Sequence, residues 1–516
     1  MVLLSCKDNR PEIDDRTVFR YNEHANITTL DPAFARDQRN IWACNLLYNG
    51  LVQLDKNLNV IPDLASSWDI SADGLVYTFK LKKEVMFHDN YAFAKARSIT
   101  AQDFKFSLER LTNVQLASPG SWTMEEVREI TAVDDHTLQI TLRRPFPAFL
   151  GILTMKYCSV VRPEAVQHYG SEFRSHPTGT GPFCLKRWEE NVKMVLRRHS
   201  SYHEKDATGT ALPYLEAVAI TFKNDKQSEF LEFAQGNLDF LNAIDPSYKD
   251  ELLTNSGQLK PKYDSIVTMK KAPFLNTEYL GIDVSGGEQS LDLELRQAMN
   301  CGFDREKMMK YLRNSIGKPA VYGFIPLGIP GGGKVKGASY DPDRARTIIN
   351  NYKSSGKSIP EITISTSANY LDLCEFIQKE YQNIGLPVNV EVMPPSTLRQ
   401  ARSVGNLQVF RSSWIADYPD AQNYLSLFYS KNFAPNGPNY TRFKNELYDE
   451  LYKQSLATAN ESERALLYHR MDSILVQEAP AIPLYYDESV RFIHKNVLGL
   501  ETNAVNMLDL TRVRKN

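Results

Sequence analysis

The stretch that most narrows the possible folds lies between residues 340 and 410, where helix-like and strand-like periods alternate. Asp341-Pro342 reads as the cap and first turn of a short helix, and Glu361 to Ser365 as a strand. Leu373, Phe376, Ile377, Tyr381 and Ile384 then stripe one face of a helix that stops at Gly385, and Val388 to Val392 is the next strand. A second, shorter helix, Ser396 to Ser403, leads to a strand over Leu407 to Phe410. Strand, helix and strand at this spacing make a βαβ unit, so this part of the chain is α/β.

The first third has a different texture. In Val76 to Lys82, Tyr77, Phe79 and Leu81 alternate with Thr78, Lys80 and Lys82, as in a strand with one face buried, and Thr137 to Arg143 repeats the pattern. Between them Thr100 to Asp103 resembles a helix N-cap, followed by Phe104, Leu108 and Leu111 at helical spacing. At roughly 150 residues per domain, 516 residues imply two to four structural units.

Charge excludes some partners. With 60 basic and 62 acidic residues there is no global field for nucleic acid or an anionic membrane. No apolar run approaches the 18 or so residues that cross a bilayer. Val2-Leu3-Leu4-Ser5-Cys6 reads as the end of a lipoprotein signal, with Cys6 as the lipidation site and the polar residues behind it as a tether. The other cysteines, Cys44, Cys158, Cys184, Cys301 and Cys374, are odd in number and irregularly spaced, so neither a disulfide framework nor a CxxC metal pair is expected.

Several catalytic signatures fail on inspection. Gly328 to Val335 nearly spells a P-loop, but Val335 replaces the hydroxyl residue and neither a strand before nor a helix after is indicated. His199 and His203 lack the glutamate of a zinc protease and an evident third ligand, and read as a solvated pair. GxSxG is absent. No nucleophile and base, metal or cofactor is indicated, so the chain is not expected to be an enzyme.

What remains is aromatic wealth, 26 Tyr, 24 Phe and 5 Trp, which suits a recognition cleft. One segment concentrates it. Trp414-Ile415-Ala416-Asp417-Tyr418 follows the last strand of the α/β unit, at the carboxyl end where open sheets of this type bind ligands.

Other stretches form a family pattern. Ser71 to Leu81, continuing to Val85-Met86-Phe87-His88-Asp89, resembles the signature of family 5 extracellular solute-binding proteins, as does Gly179-Thr180-Gly181-Pro182-Phe183. Glu294 to Asn300 with Asp304-Arg305 is similar to the family's "VRQALN…DR" helix. Trp414 to Tyr418 resembles the "W-x-x-D" segment of its oligopeptide- and dipeptide-binding members. The bland reading of Gly74, Gly179, Gly181 and Arg296 is structural: a tight turn, a constrained loop and a pairing inside one lobe.

The resemblance implies a two-lobed α/β periplasmic-binding-protein fold with an extra inserted domain. Residues 1–16 would be the tether, and 17–50, 175–268 and 488–516 a discontinuous first lobe. Residues 51–174 would form the inserted domain and 269–487 the other lobe, with crossings near 269–275 and 485–490. It implies a monomeric receptor of an ABC importer, lipid-anchored in the periplasm or cell envelope, that closes on a short peptide and delivers it to a permease served by a separate ATPase. Asp417 would meet the peptide α-ammonium, and Ser413, Trp414 and Ile415 would pair with its main chain. Arg402 and Arg411 would receive C-terminal carboxylates at different depths. Tyr418 would line the pocket. Asn26 stands where relatives often carry an acid near the amine, and Pro395 where some carry a pocket tryptophan. A receptor of the same fold for a nickel chelate, heme or oligosaccharide is the alternative.

Overall fold

The computed structural model describes residues 17–90, 92–93, 96–243, 245, 247–287 and 290–516. Cys6 and the tether therefore lie outside the described residues. Three sheets organise the chain. Val18–Glu23, Ala217–Phe222, Lys193–Arg198 and Phe183–Glu189 form a four-stranded sheet in that order, its first pair parallel. Ala65–Ile70, Val76–Leu81, Thr137–Leu142 and Val127–Asp134 form a second, antiparallel sheet. Each has its own apolar core: Phe19, Trp42, Leu196 and Ile220 belong to the first, and Phe79, Phe104, Leu108 and Ile140 to the second. The Tyr77, Phe79 and Leu81 alternation faces this second core, and Asp103 takes the Thr100 N–H at 2.8 Å as a capping box requires.

The third sheet joins the lobes. Its two long strands, Val267–Ile282 and Ala481–His494, run antiparallel from Val267 beside His494 to Gly281 beside Ala481. Sixteen residues at about 3.3 Å each span roughly 50 Å, so a single strand serves both lobes. One end pairs through Ala481–His494 with Phe240–Asn242; the other pairs with Val409–Ile415. The register shifts between Pro273 and Thr277, where proline supplies no N–H to the ladder. The irregularity begins at Pro273, near the 269–275 crossing that the resemblance implies, and extends beyond it to Thr277.

The α/β unit completes this sheet. Ile362–Thr366 lies parallel to Val388–Val392 on one side and to Val409–Ile415 on the other. Because side chains alternate, Leu280 and Val409 enter one core of the sheet while Tyr279 and Phe410 enter the other. The helix Leu371–Asn383 ends before Gly385, whose φ of +96° is a left-handed value that glycine adopts without strain. The helix expected at Ser396 to Ser403 runs Pro395–Val404. Pro395 is thus a helix-starting residue.

One element differs from the sequence reading in a way that matters. The strand expected at Leu407 to Phe410 runs instead from Val409 to Ile415, so Trp414 lies within it rather than beyond it. Arg411, Ser412 and Ser413 have weak intrinsic strand character; pairing with Val267–Ile282 holds them extended.

Further features agree with simple chemistry. Gly179 and Gly181 sit so close to Leu47 that an added Cβ would lie 2.1 Å and 2.4 Å from its backbone. Arg296 donates to the carbonyls of Glu478 and Leu291 within its own lobe. Cys44, Cys158, Cys184, Cys301 and Cys374 are free thiols, and among the described residues no helix is long and apolar enough to cross a membrane. Residues 328–335 form turns, with no helix following.

Candidate functional site

The site grows from the Val409–Ile415 strand. Its ladder phase is fixed by Asp283 N–H to Gln408 O at 3.0 Å and Ala416 N–H to Leu275 O at 2.8 Å. Even-numbered residues between these therefore bond to the long strand, and Arg411, Ser413 and Ile415 turn their N–H and C=O groups the other way. On that other side the pairing with Ile362–Thr366 involves only Val409 and Phe410. The outward main-chain groups of Ser413 and Ile415 have no strand partner among the described residues, and Ile415 is 51% exposed. This is a short open edge, able to accept an extended chain.

Asp417 stands two residues past that edge. Its backbone N–H donates to Asn423 Oδ1 at 3.2 Å, and Asn423 Nδ2 donates to the carboxylate at 3.4 Å. The same Asn423 oxygen accepts from Trp414 Nε1 at 2.8 Å, so one buried asparagine ties the tryptophan and the aspartate together. Asp417 does not cap the following helix, Ala421–Leu425. Asp420 does, accepting from Gln422 N–H at 2.9 Å and from Tyr468 Oη at 2.7 Å. Asp417 is thus free of the capping duty, and among the described residues no lysine, arginine or histidine pairs with it. Crowding by protein raises its carboxyl above the usual carboxylate range, against the pull of the Asn423 hydrogen bond. An accessible carboxylate in a desolvating setting, with no cation among the described residues, is chemically able to take one.

The opposite wall belongs to the 51–174 segment. Tyr418 is buried against Ala148 and Ile152, with its ring 6.2 Å from that of Trp122. Tyr157 is buried in the core of that segment, and burial and then the Asp417 charge push its phenol up to about 12. Gly120 makes room for the tyrosine, since a Cβ there would lie 2.5 Å from its ring. Tyr418 therefore joins the two sides as well as lining the site.

The arginines separate. Arg411 forms an ion pair with Glu278, the two side chains 10% and 3% exposed, and lies 3.0 Å above the Tyr370 ring centroid. Arg402 reaches across the other face of the strand, donating to Ser412 Oγ and lying 4.1 Å above the Tyr440 ring. Among the described residues no carboxylate pairs with Arg402. Asn26 accepts from the Asn191 backbone at 3.1 Å, bracing a hairpin turn, and no described contact links it to Asp417.

Sequence reasoning missed Asn423, Glu278 and Tyr157. None carries a local signal, because each acts on a partner distant in the chain or across a helical turn.

This geometry can be set beside known proteins. Residues 59–436 match the profile of the bacterial extracellular solute-binding proteins, family 5. The chain belongs to that family. Its members are transport receptors, not enzymes, and the two-lobed α/β architecture is theirs. Over 491 residues, 92% of this chain and 90% of the relative, the family 5 chain is 28% identical to glutathione-binding protein GsiB of Escherichia coli. It is 26% identical to di/tripeptide-binding protein 2 of Pseudomonas aeruginosa, across 91% of this chain and 89% of that one. Its fold superposes on the periplasmic binding protein DppA of Helicobacter pylori, solved with the peptide STSA. The TM-score is 0.79 at 25% identity, covering 96% and 98% of the two chains.

Proposed function

We propose that this receptor captures short peptides between its lobes for an ABC importer. The observation that carries the reading is the pairing of an open strand edge, Ser413 to Ile415, with a cation-free carboxylate, Asp417, two residues on. Main-chain pairing along the edge is indifferent to side chains, and the carboxylate anchors the α-ammonium. Arg402, with no acidic partner among the described residues, is the readier receiver of the C-terminal carboxylate, whereas at Arg411 a peptide carboxylate must compete with Glu278. Tyr418 and Trp122 close over the ligand, and the break at Pro273 to Thr277 serves as the hinge. The relatives named for glutathione and for di- and tripeptides support a peptide-sized ligand. Calorimetry with free and N-acetylated tripeptides tests the reading. Free peptides should bind, and acetylated ones, lacking an ammonium, should bind far more weakly; equal binding refutes it.

The same proposal places the receptor as a monomer on a lipid anchor at Cys6, facing the periplasm or cell envelope, with a permease and its ATPase as partners. The lipobox-like run Val2 to Ser5 supports the anchor. Expressed with its native upstream reading frame, the wild type should fractionate with membranes and Cys6→Ser should be released. Retention of Cys6→Ser on membranes counts against it.

A further inference from the structure

Away from the cleft, His203 stands out. Both its ring nitrogens are shielded from solvent, and neither has a hydrogen-bond partner among the described residues. Two shielded ring nitrogens left idle are costly unless something else uses them. The expectation of a solvated His199 and His203 pair does not hold. His199 is buried and approaches the Gly181 carbonyl at 3.2 Å through Nδ1, its ring 4.8 Å from that of His88, and His203 turns to other company.

That company is acidic. One ligand atom each from Asp63, His203 and Glu204 lie within 4.8 Å of one another. Asp63 is buried and held rigidly, accepting from Asn49 Nδ2 at 3.0 Å and from the Gly50 N–H at 2.9 Å. Glu204 is held loosely, by the Tyr202 hydroxyl at 3.4 Å and by Arg512 at 3.3 Å. The Arg512 side chain is 55% exposed, so this pairing is weak and readily exchanged. His203 and Glu204 also line an open depression, which gives an ion a way in.

We propose that Asp63, His203 and Glu204 bind a divalent first-row transition metal, such as zinc, as a staple between the 51–174 segment and the lobe that carries residues 203 and 204. One imidazole and two carboxylates are a suitable donor set. The imidazole is available, since neither of its ring nitrogens is engaged by a hydrogen-bond partner among the described residues. Zinc bonds of about 2.0–2.1 Å place ligand atoms roughly 3.4 Å apart. The three groups must therefore draw together by up to about 1.4 Å, a movement within reach of the loosely held Glu204. Lys82, Lys83 and Lys205 rim the depression and oppose a bare cation, so the remaining coordination position favours an anion or hydroxide. None of the three ligands belongs to the Asp417 site, and the staple stands or falls independently of the peptide reading.

The test uses tag-free protein stripped with chelator and titrated with zinc chloride. Binding is followed by calorimetry and elemental analysis, and the melting temperature is recorded with and without the metal. The wild type should bind one equivalent, melt higher with zinc, and show X-ray absorption from one nitrogen and at least two oxygens near 2.0–2.1 Å. His203→Gln should weaken binding by about 100-fold or more and abolish the rise in melting temperature. Asp63→Asn should do the same, but it also loosens Gly50; His203→Gln, checked for native circular dichroism, therefore carries the decision. Binding no tighter than millimolar in the wild type, or unchanged binding in His203→Gln, overturns the staple.

Discussion

Replacing Asp417 with asparagine keeps the shape of the side chain and removes its charge. The structure gives this carboxylate one donor, Asn423, and no cation among the described residues, so an incoming ammonium would be its first counter-ion. Stranding a buried ammonium costs about 3–5 kcal/mol, or roughly 10²- to 10³-fold or more in Kd. Asp417 is still accessible in this structure, so its ion pair is desolvated only by closure, and the lower end, about 10²-fold, applies. A second signature is pH. Crowding by surrounding protein raises the Asp417 carboxyl, and a bound ammonium favours the ionised form, so the complex must hold a lower value than the free protein. Affinity is then complete above the raised value and falls as pH drops through it, by up to about tenfold per unit. Calorimetry with a free tripeptide from about pH 4 to pH 8 reads both effects, provided heats are corrected for proton release. Asp417→Asn should bind about 10²-fold more weakly near neutrality and lose this carboxylate's share of the pH slope. Wild-type affinity in the variant, or an equal loss for N-acetylated peptides, would refute the assignment.

Three other outcomes follow from named contacts. Arg402→Ala should weaken peptides with a free carboxylate by about 10- to 100-fold but spare amidated ones. Arg411→Ala strands buried Glu278 and should lower stability in urea by about 3–5 kcal/mol. The two substitutions should penalise different peptide lengths most, and calorimetry with di-, tri- and tetrapeptides reads that difference. Tyr418→Ala removes the ring packed on Ala148 and Ile152, worth about 1.5–3 kcal/mol; X-ray scattering with saturating peptide should give a larger radius of gyration than the wild type. Asp472, fully buried, is raised by desolvation to about 7 from about 4 in the unfolded chain. Its contribution to stability is therefore present below about pH 4 and is lost as pH rises through 7, by at most about 4 kcal/mol. Asp472→Asn should flatten that part of the urea midpoint's pH profile; an unchanged profile would refute the titration.

Periodicity and capping chemistry determined much of the frame by themselves. The strand Val388–Val392, the helix that stops before Gly385, the Thr100 capping box and the inward face of Val76–Leu81 are all local events, fixed by spacing and by residues within a few positions. The family followed from short motifs in order, and with it Asp417 and the two arginines as candidates. Tertiary structure decided what those side chains are free to do. Arg402 and Arg411 look alike in sequence, yet Glu278, 133 positions away, neutralises Arg411, while Arg402 has no acid beside it among the described residues. The segment WIADYPDA offers two acids for one helix cap, and only the backbone path assigns it to Asp420 and releases Asp417. The strand Val409–Ile415 outran its local signal because a neighbour, not its own residues, holds it extended. His203 lies four residues from His199, but burial and the approach of Asp63 give it a different chemistry. Local order is written in sequence spacing; pairing, desolvation and the freedom of a charge depend on which distant groups arrive beside it.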